Sequence, residues 1–393
     1  MVFSKVSELS DTALSILRKR YFRQGETRWQ DVVNRVTDYI MGESEDKELV
    51  KEMLLSRYFI PNSPCLVNSG RTSGGLSACF VVDFPDDIEG IYKTKLDFAK
   101  IARKGGGCGT SLSKLRPEGS PVGGSTHGHA GGPVRFADTI SHDMMAITQG
   151  GFREMAIMFS MSVYHPDIMK FIEAKTHEGK ISNANISVLV DDAFMQKVED
   201  DEYYNTVFTG KVYETLSARG VFNLIVDGAW RNGEPGLLFY DRMNDSPYKY
   251  SSQELVTVNP CGEQALPFNG VCNLGSLDIS KFLKEDLTIN LELLELATRL
   301  SVRFLDNTAS KSSYPTPEIT TWVEQNRPVG LGIMGLADYY MLRGVVYGSD
   351  RALEELAFIL SFIKNIAEDE SISLGETLGV PEACKQLPVP RRN

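Results

Sequence analysis

Asn259-Pro260-Cys261-Gly262-Glu263-Gln264 places an amide, a thiol and a carboxylate within five residues, and Cys272 follows eleven residues after Cys261. Pro260 and Gly262 bracket Cys261, which predicts a loop there and not a regular helix or a central strand. Asn269-Gly270 is a tight-turn signal that folds Cys272 back toward Cys261. A thiol on a loop beside an acid/base group, with another thiol close by, suits chemistry that needs sulfur and proton transfer together. Taken alone, the same residues also fit an inert loop, because cysteine is often buried as a plain hydrophobe.

The elements around this loop read as α/β. Residues 1–58 carry helical apolar spacing, as at Leu14, Leu17 and Tyr21 and at Val32, Val33, Val36 and Ile40. From residue 59 short apolar runs alternate with amphipathic helices. Strands are predicted at 79–82, 186–190 and 237–240, and helices at 88–104, 133–148, 168–175, 291–305 and 353–372. Gly105 to Gly109 is read as the turn that ends a helix, and Asp191 as a helix cap. Gly330 to Gly335 fits close strand–helix packing better than a dinucleotide turn.

The 393 residues are 42% hydrophobic and 24% charged, with a net charge of -11. That is an ordinary soluble composition, and its acidity argues against a general nucleic-acid binder. The six cysteines form no Cys-x-x-Cys pair and no zinc spacing. His127-Gly128-His129 lacks a third ligand and reads as solvated. No secretory apolar core opens the chain, and no apolar run approaches the roughly 20 residues of a membrane span. A cytoplasmic, reducing location is expected, without structural disulfides or metal.

Asn259 to Ser276 resembles the active-site loop of ribonucleotide reductase large subunits, and Asn-Pro-Cys-Gly-Glu-Gln is most similar to the class II, adenosylcobalamin-dependent branch. Further pieces resemble family landmarks in family order: Pro61-Asn62-Ser63-Pro64, Ser77-Ala78-Cys79-Phe80-Val81, Gly105-Gly106-Gly107-Cys108-Gly109, Leu115-Arg116-Pro117-Glu118-Gly119-Ser120, Gln149-Gly150-Gly151, His165-Pro166-Asp167-Ile168, Asn185-Ile186-Ser187-Val188 and Gly330-Leu331-Gly332-Ile333-Met334-Gly335. The resemblance implies a ten-stranded α/β barrel with its C-terminal strands missing (residues 59–393), preceded by a small N-terminal helical domain (residues 1–58). The chain is therefore expected to be the N-terminal portion of a catalytic subunit, weakly active or inactive alone.

The resemblance also implies roles. Cys261 matches the radical cysteine and Glu263 the carboxylate that exchanges a proton with the 3′-hydroxyl. Asn259 matches the amide that orients the sugar, and Cys79 and Cys272 the thiol pair that ends as a disulfide. Substrate contacts are implied at Ser63, Ala78, Cys79, Gly107 and along Asn259-Pro260-Cys261-Gly262-Glu263. An allosteric effector region is implied around Asp138, Gln149 and Arg153, with Glu178 to Asn183 as its relay loop. There the family's Arg-Arg-Gly-Ala is replaced by Phe152-Arg153-Glu154-Met155-Ala156, so one positive charge is lost and a negative one gained. The implied partners are a ribonucleoside di- or triphosphate, dNTP and ATP effectors, a thioredoxin-type reductant and a second copy in a homodimer, with neither nucleic acid nor membrane. Two alternatives stay open: a class I subunit fed by a partner radical protein, and a catalytically incomplete nucleotide-binding fragment.

Overall fold

The structure, a computed structural model, describes residues 2–4, 8–72, 74–123, 127–149, 153–176, 180–245 and 253–386. The chain divides into two compact units. One comprises residues 1–78, 272–314 and 323–393; the other comprises residues 79–271 and 315–322.

In the second unit the strands Cys79–Val81, Gly107–Ser111, Ile157–Ser162, Ala184–Val190 and Gly236–Phe239 lie side by side in chain order. Every neighbouring pair among them is parallel. Helices run between them, as parallel crossovers require. The strands Gly107–Ser111 and Ile157–Ser162 are almost wholly buried, as a sheet covered on both faces demands. The helix Ile88–Arg103 begins where Asp87 accepts a hydrogen bond from Gly90 N at 2.7 Å. Asp191 does the same for Phe194 N ahead of Asp192–Glu199, as its position predicted.

The first unit packs helices onto a small sheet. Phe59–Pro61 runs antiparallel to Leu274–Asp278, which is parallel to Gly330–Met334. Val32, Val33, Val36 and Ile40 form the buried face of helix Trp29–Met41, and Leu294, Leu300 and Phe304 that of helix Leu291–Lys311. Burying each such side chain stabilises the fold by about 1.5–3 kcal/mol, so Val36→Asp would break this packing. Gly330–Met334 leads directly into helix Leu336–Arg343, the strand–helix junction expected for this glycine-rich stretch.

The structure departs from the sequence expectations in three respects. Gly107–Ser111 is a buried central strand, and only Gly105, at φ 91°, ends the preceding helix. Ile157–Ser162 and the hairpin Tyr203–Phe208 with Lys211–Ser217 were not anticipated. Helices end earlier than predicted at Met145 and Ile172, and later at Lys311 and Leu378.

Candidate active site

The cysteine loop is a short, braced turn. Val258 bridges Ala265 in antiparallel fashion. Asn259 N donates to Gln264 O at 3.1 Å, and Gly262 N donates to Asn259 O at 3.0 Å. The second bond closes a β-turn with Pro260 and Cys261 at its centre and glycine at its end, the residue order such turns favour. Gly262 has φ 83°, a backbone conformation that glycine adopts without strain. Cys261 is exposed at the tip.

The turn rests on the parallel sheet because two strand positions lack a side chain. A Cβ at Gly107 would lie 2.8 Å from Pro260 Cγ, and one at Gly109 would overlap the carbonyl of Val258. Hydrogen bonds fix the rest of its course. Ser160 Oγ donates to Val256 O at 3.0 Å, Thr257 Oγ1 to Thr110 O at 3.5 Å, and Asn185 Nδ2 to Pro260 O at 2.8 Å.

Three candidate residues meet at the turn, two of them, Asn259 and the exposed Glu263, from the loop itself. Asn259 is fully buried. Its Oδ1 accepts from Gln264 N at 3.0 Å, and its Nδ2 donates to Cys79 Sγ at 3.1 Å. The Cys79 thiol in turn donates to Glu263 Oε1 at 3.7 Å. Cys79 opens its strand and pairs in register with Gly107, so the cluster sits at the amino-terminal edge of the parallel sheet. The arrangement can move a proton between sulfur and carboxylate, with a second, exposed thiol two residues from that carboxylate.

The strand that carries Cys79 is held on its far side by the turn that precedes Cys272. Asn269 N donates to Val81 O at 2.8 Å, and Val81 N donates to Gly270 O at 3.0 Å. Asn269 has φ 67°, and Gly270 N closes the turn on Pro267 O at 2.9 Å, as the Asn-Gly pair predicted.

Ser63, Ala78 and Cys272 belong to the first unit. Ser63 Oγ shares a 2.7 Å hydrogen bond with Tyr21 OH. Ala78 is half-buried. Cys272 is buried and donates to Asn273 O at 3.4 Å. Gly330 explains how this thiol is accommodated, because a Cβ there would lie 2.7 Å from Cys272 Sγ.

Asp138 Oδ1, on helix Pro133–Met145, accepts from Ile181 N at 3.0 Å. Gln149 and Arg153 lie in two short paired strands, but their side chains are outside the described residues, as are Gly150, Gly151, Phe152 and Glu178. Burial pushes the Cys65 thiol up to about 12 and raises that of Cys108 well above its ordinary value, so both are inert thiols. No disulfide and no metal-binding cluster occurs among the described residues. Nor is any described helix long and apolar enough to cross a membrane. A cleft of about 330 Å³ at the carboxyl-terminal ends of the strands, lined by Ser111, Ser162 and Tyr164, contains none of these candidate residues. Sequence reasoning missed Gly109 and Asn185 as seats of the turn. Both lie in motifs it had singled out, but only the fold shows what they touch.

Comparison with known proteins gives consistent matches. The family "Ribonucleotide reductase, barrel domain" matches residues 77–388, and "Ribonucleotide reductase, all-alpha domain" matches residues 7–74. A vitamin B12-dependent ribonucleoside-diphosphate reductase of Thermoplasma acidophilum is 39% identical over 333 residues, which is 84% of this chain and 43% of that protein. A protein of the same description from Mycobacterium tuberculosis (strain ATCC 25618 / H37Rv) is 34% identical over 95% of this chain and 55% of its own length. This chain thus spans about half the length of these relatives. Among solved structures, the alpha subunit of the Actinobacillus ureae class Id ribonucleotide reductase superposes with a TM-score of 0.78 at 20% identity. That match covers 96% of this chain and 69% of the other. This likeness shows the fold: the reductase-type α/β barrel architecture, with a helical N-terminal region.

Proposed function

Because the chain belongs to the ribonucleotide reductase large-subunit family, we propose that it carries the thiol site for reducing ribonucleotides to 2′-deoxyribonucleotides. One observation carries this reading: Asn259, Cys79 and Glu263, up to 184 residues apart, are joined by hydrogen bonds, and two of them lie within two residues of the exposed Cys261. In the proposed chemistry Cys261, as a thiyl radical, removes the 3′-hydrogen of the ribose and later returns it. Glu263 takes the proton of the 3′-hydroxyl. The 2′-hydroxyl leaves as water, and Cys79 and Cys272 supply two electrons and two hydrogens, ending as one disulfide. Asn259 holds Cys79 in line with Glu263 and orients the sugar. Ser63, Ala78 and Gly107 contact the substrate; in support, the neighbouring Asn62 Nδ2 is buried with no partner among the described residues.

The relatives' printed dependence on vitamin B12 motivates adenosylcobalamin as the radical source. The exposed turn fits such a group, since Cys261 projects from it and a Cβ at Gly262 would meet nothing within 4 Å. When bound, the cofactor supplies homolysis of a weak bond, which no ordinary side chain offers. Residues 261–263 are the part of this chain that would meet it.

Effector nucleotides are assigned to the region of Asp138, and a thioredoxin-type protein is assigned as the ultimate electron source for turnover. A homodimer is assigned to the helices Ile88–Arg103 and Pro133–Met145. Ile88, Tyr92 and Leu96, spaced four residues apart on the first of these, are exposed, as is Met145 on the second. That is an apolar stripe suited to helix–helix contact.

The test is deoxynucleotide formation by the complete enzyme with adenosylcobalamin and no second subunit. Turnover supports this reading, whereas turnover only with a di-metal radical protein would move the chain to class I. Nucleotide binding without turnover under either condition would leave a binding protein.

A further inference from the structure

We propose that Asn185 is a positioning residue for the Cys261 turn, and that it ties this turn to the segment held by helix Pro133–Met145. The proposal rests on the reading of Cys261 as the reactive thiol. Asn185 Nδ2 donates to the carbonyl of Pro260, the peptide group that joins Pro260 to Cys261, at 2.8 Å. Proline's ring fixes φ, so the free variable at Pro260 is ψ, and ψ sets where that carbonyl points. Pinning the carbonyl therefore sets the plane of the next peptide and the direction in which Cys261 leaves the turn. The amide that holds this carbonyl lies at the start of strand Ala184–Val190.

The same strand start is anchored from the other direction. Asn183 N donates to Ser141 Oγ at 3.2 Å and Ile181 N to Asp138 Oδ1 at 3.0 Å, both acceptors being on helix Pro133–Met145. Lys175, paired with Glu234, donates to Ala184 O at 2.6 Å, and Glu234 Oε1 accepts from Ile186 N at 3.1 Å. Residues 181–186 thus form one tethered segment, with the helix at one end and the thiol turn two residues beyond Asn183.

Asn185 is exposed. Pro260 is itself buried, and this bond is one of several that hold the turn, so losing the amide perturbs the turn locally while the fold stays in place. This separates a positioning role from a merely structural one.

The experiment compares Asn185→Asp, which keeps the shape but cannot donate, with Asn185→Gln, which keeps the donor. On the 393-residue chain, hydrogen exchange across residues 258–265 and the rate of Cys261 alkylation by iodoacetamide are measured beside Tm. Asn185→Asp should speed exchange across the turn and change the Cys261 alkylation rate while the chain still unfolds cooperatively, with Tm lowered by a few degrees at most, and Asn185→Gln should lie nearer the parent in all three. In the complete enzyme, Asn185→Asp should lower kcat about tenfold or more with KM held, the signature of a misaligned reacting group. Unchanged exchange and alkylation in Asn185→Asp, or a fall in Tm equal in both variants, would overturn the assignment. Changed exchange in an enzyme that never forms deoxynucleotides would leave the positioning role standing and remove the functional reading instead.

Discussion

The side-chain amide of Asn259 donates to the sulfur of Cys79 at 3.1 Å while its oxygen accepts from Gln264 N at 3.0 Å. One buried residue therefore closes its own turn and fixes a thiol that lies 180 positions earlier in the chain. Asn259→Ala leaves the Gln264 N–H without its partner and the Cys79 sulfur without its donor. Urea unfolding should show a loss of about 1–3 kcal/mol, the usual cost of orphaning a buried polar group. An unchanged midpoint and slope would mean that the amide is not holding the turn.

Gly109→Ala tests the seat of the turn. Its Cβ would overlap the Val258 carbonyl, which is backbone and cannot rotate away. Displacing the loop should cost about 1–3 kcal/mol, the range for overpacked sites, and should abolish activity in the complete enzyme. Gly119→Ala is a control for strain without crowding, having φ 81° but nothing within 4 Å of its Cβ. Equal effects from the two would show that crowding against Val258 is not the cause.

These two cases show how far the sequence could be read. Asn259, Cys261 and Glu263 announce themselves because a proline and a glycine isolate a thiol beside a carboxylate within a few residues. The helices were legible from apolar spacing and caps, as at Asp87 and Asp191. Gly107 and Gly109 invite a turn assignment because glycine usually ends regular structure; here they are strand residues whose missing side chains admit another backbone. The hairpin 203–217 is hard to see because its second strand, Lys211–Ser217, is mostly exposed and lacks an alternating apolar pattern. Nothing local to Asn185 reveals that its amide reaches Pro260.

The thiols should separate by reactivity. Cys261 is exposed, whereas Cys65 and Cys108 are fully buried and pushed to high pKa by desolvation. Brief alkylation of the native chain at pH 8, read by peptide mass spectrometry, should label Cys261 first. Cys65 and Cys108 should react only after denaturation. Early labelling of Cys65 or Cys108 would contradict the packing around them.

His165 gives the fold a pH dependence. It is buried, its Nε2 faces Leu115 O at 2.8 Å, and its Nδ1 accepts from Asp167 N at 3.0 Å. Desolvation lowers its pKa below the ordinary imidazole value. The unfolded chain therefore takes up a proton before the folded one does. The contribution is fully present above about pH 6.5, the ordinary imidazole value, and is lost as pH falls from there through the lower folded value. Denaturant unfolding at pH 7.5 and 5.5 should show a larger loss for the parent than for His165→Gln. Equal losses would mean that His165 does not titrate differently on unfolding.

The most direct measurement is a single turnover of the complete enzyme, pre-reduced and freed of external reductant, followed by mapping of its disulfides. The account predicts deoxynucleotide formed one-for-one with a Cys79–Cys272 disulfide, and neither product in Cys261→Ser. Deoxynucleotide without that disulfide, or undiminished formation in Cys261→Ser, would contradict it.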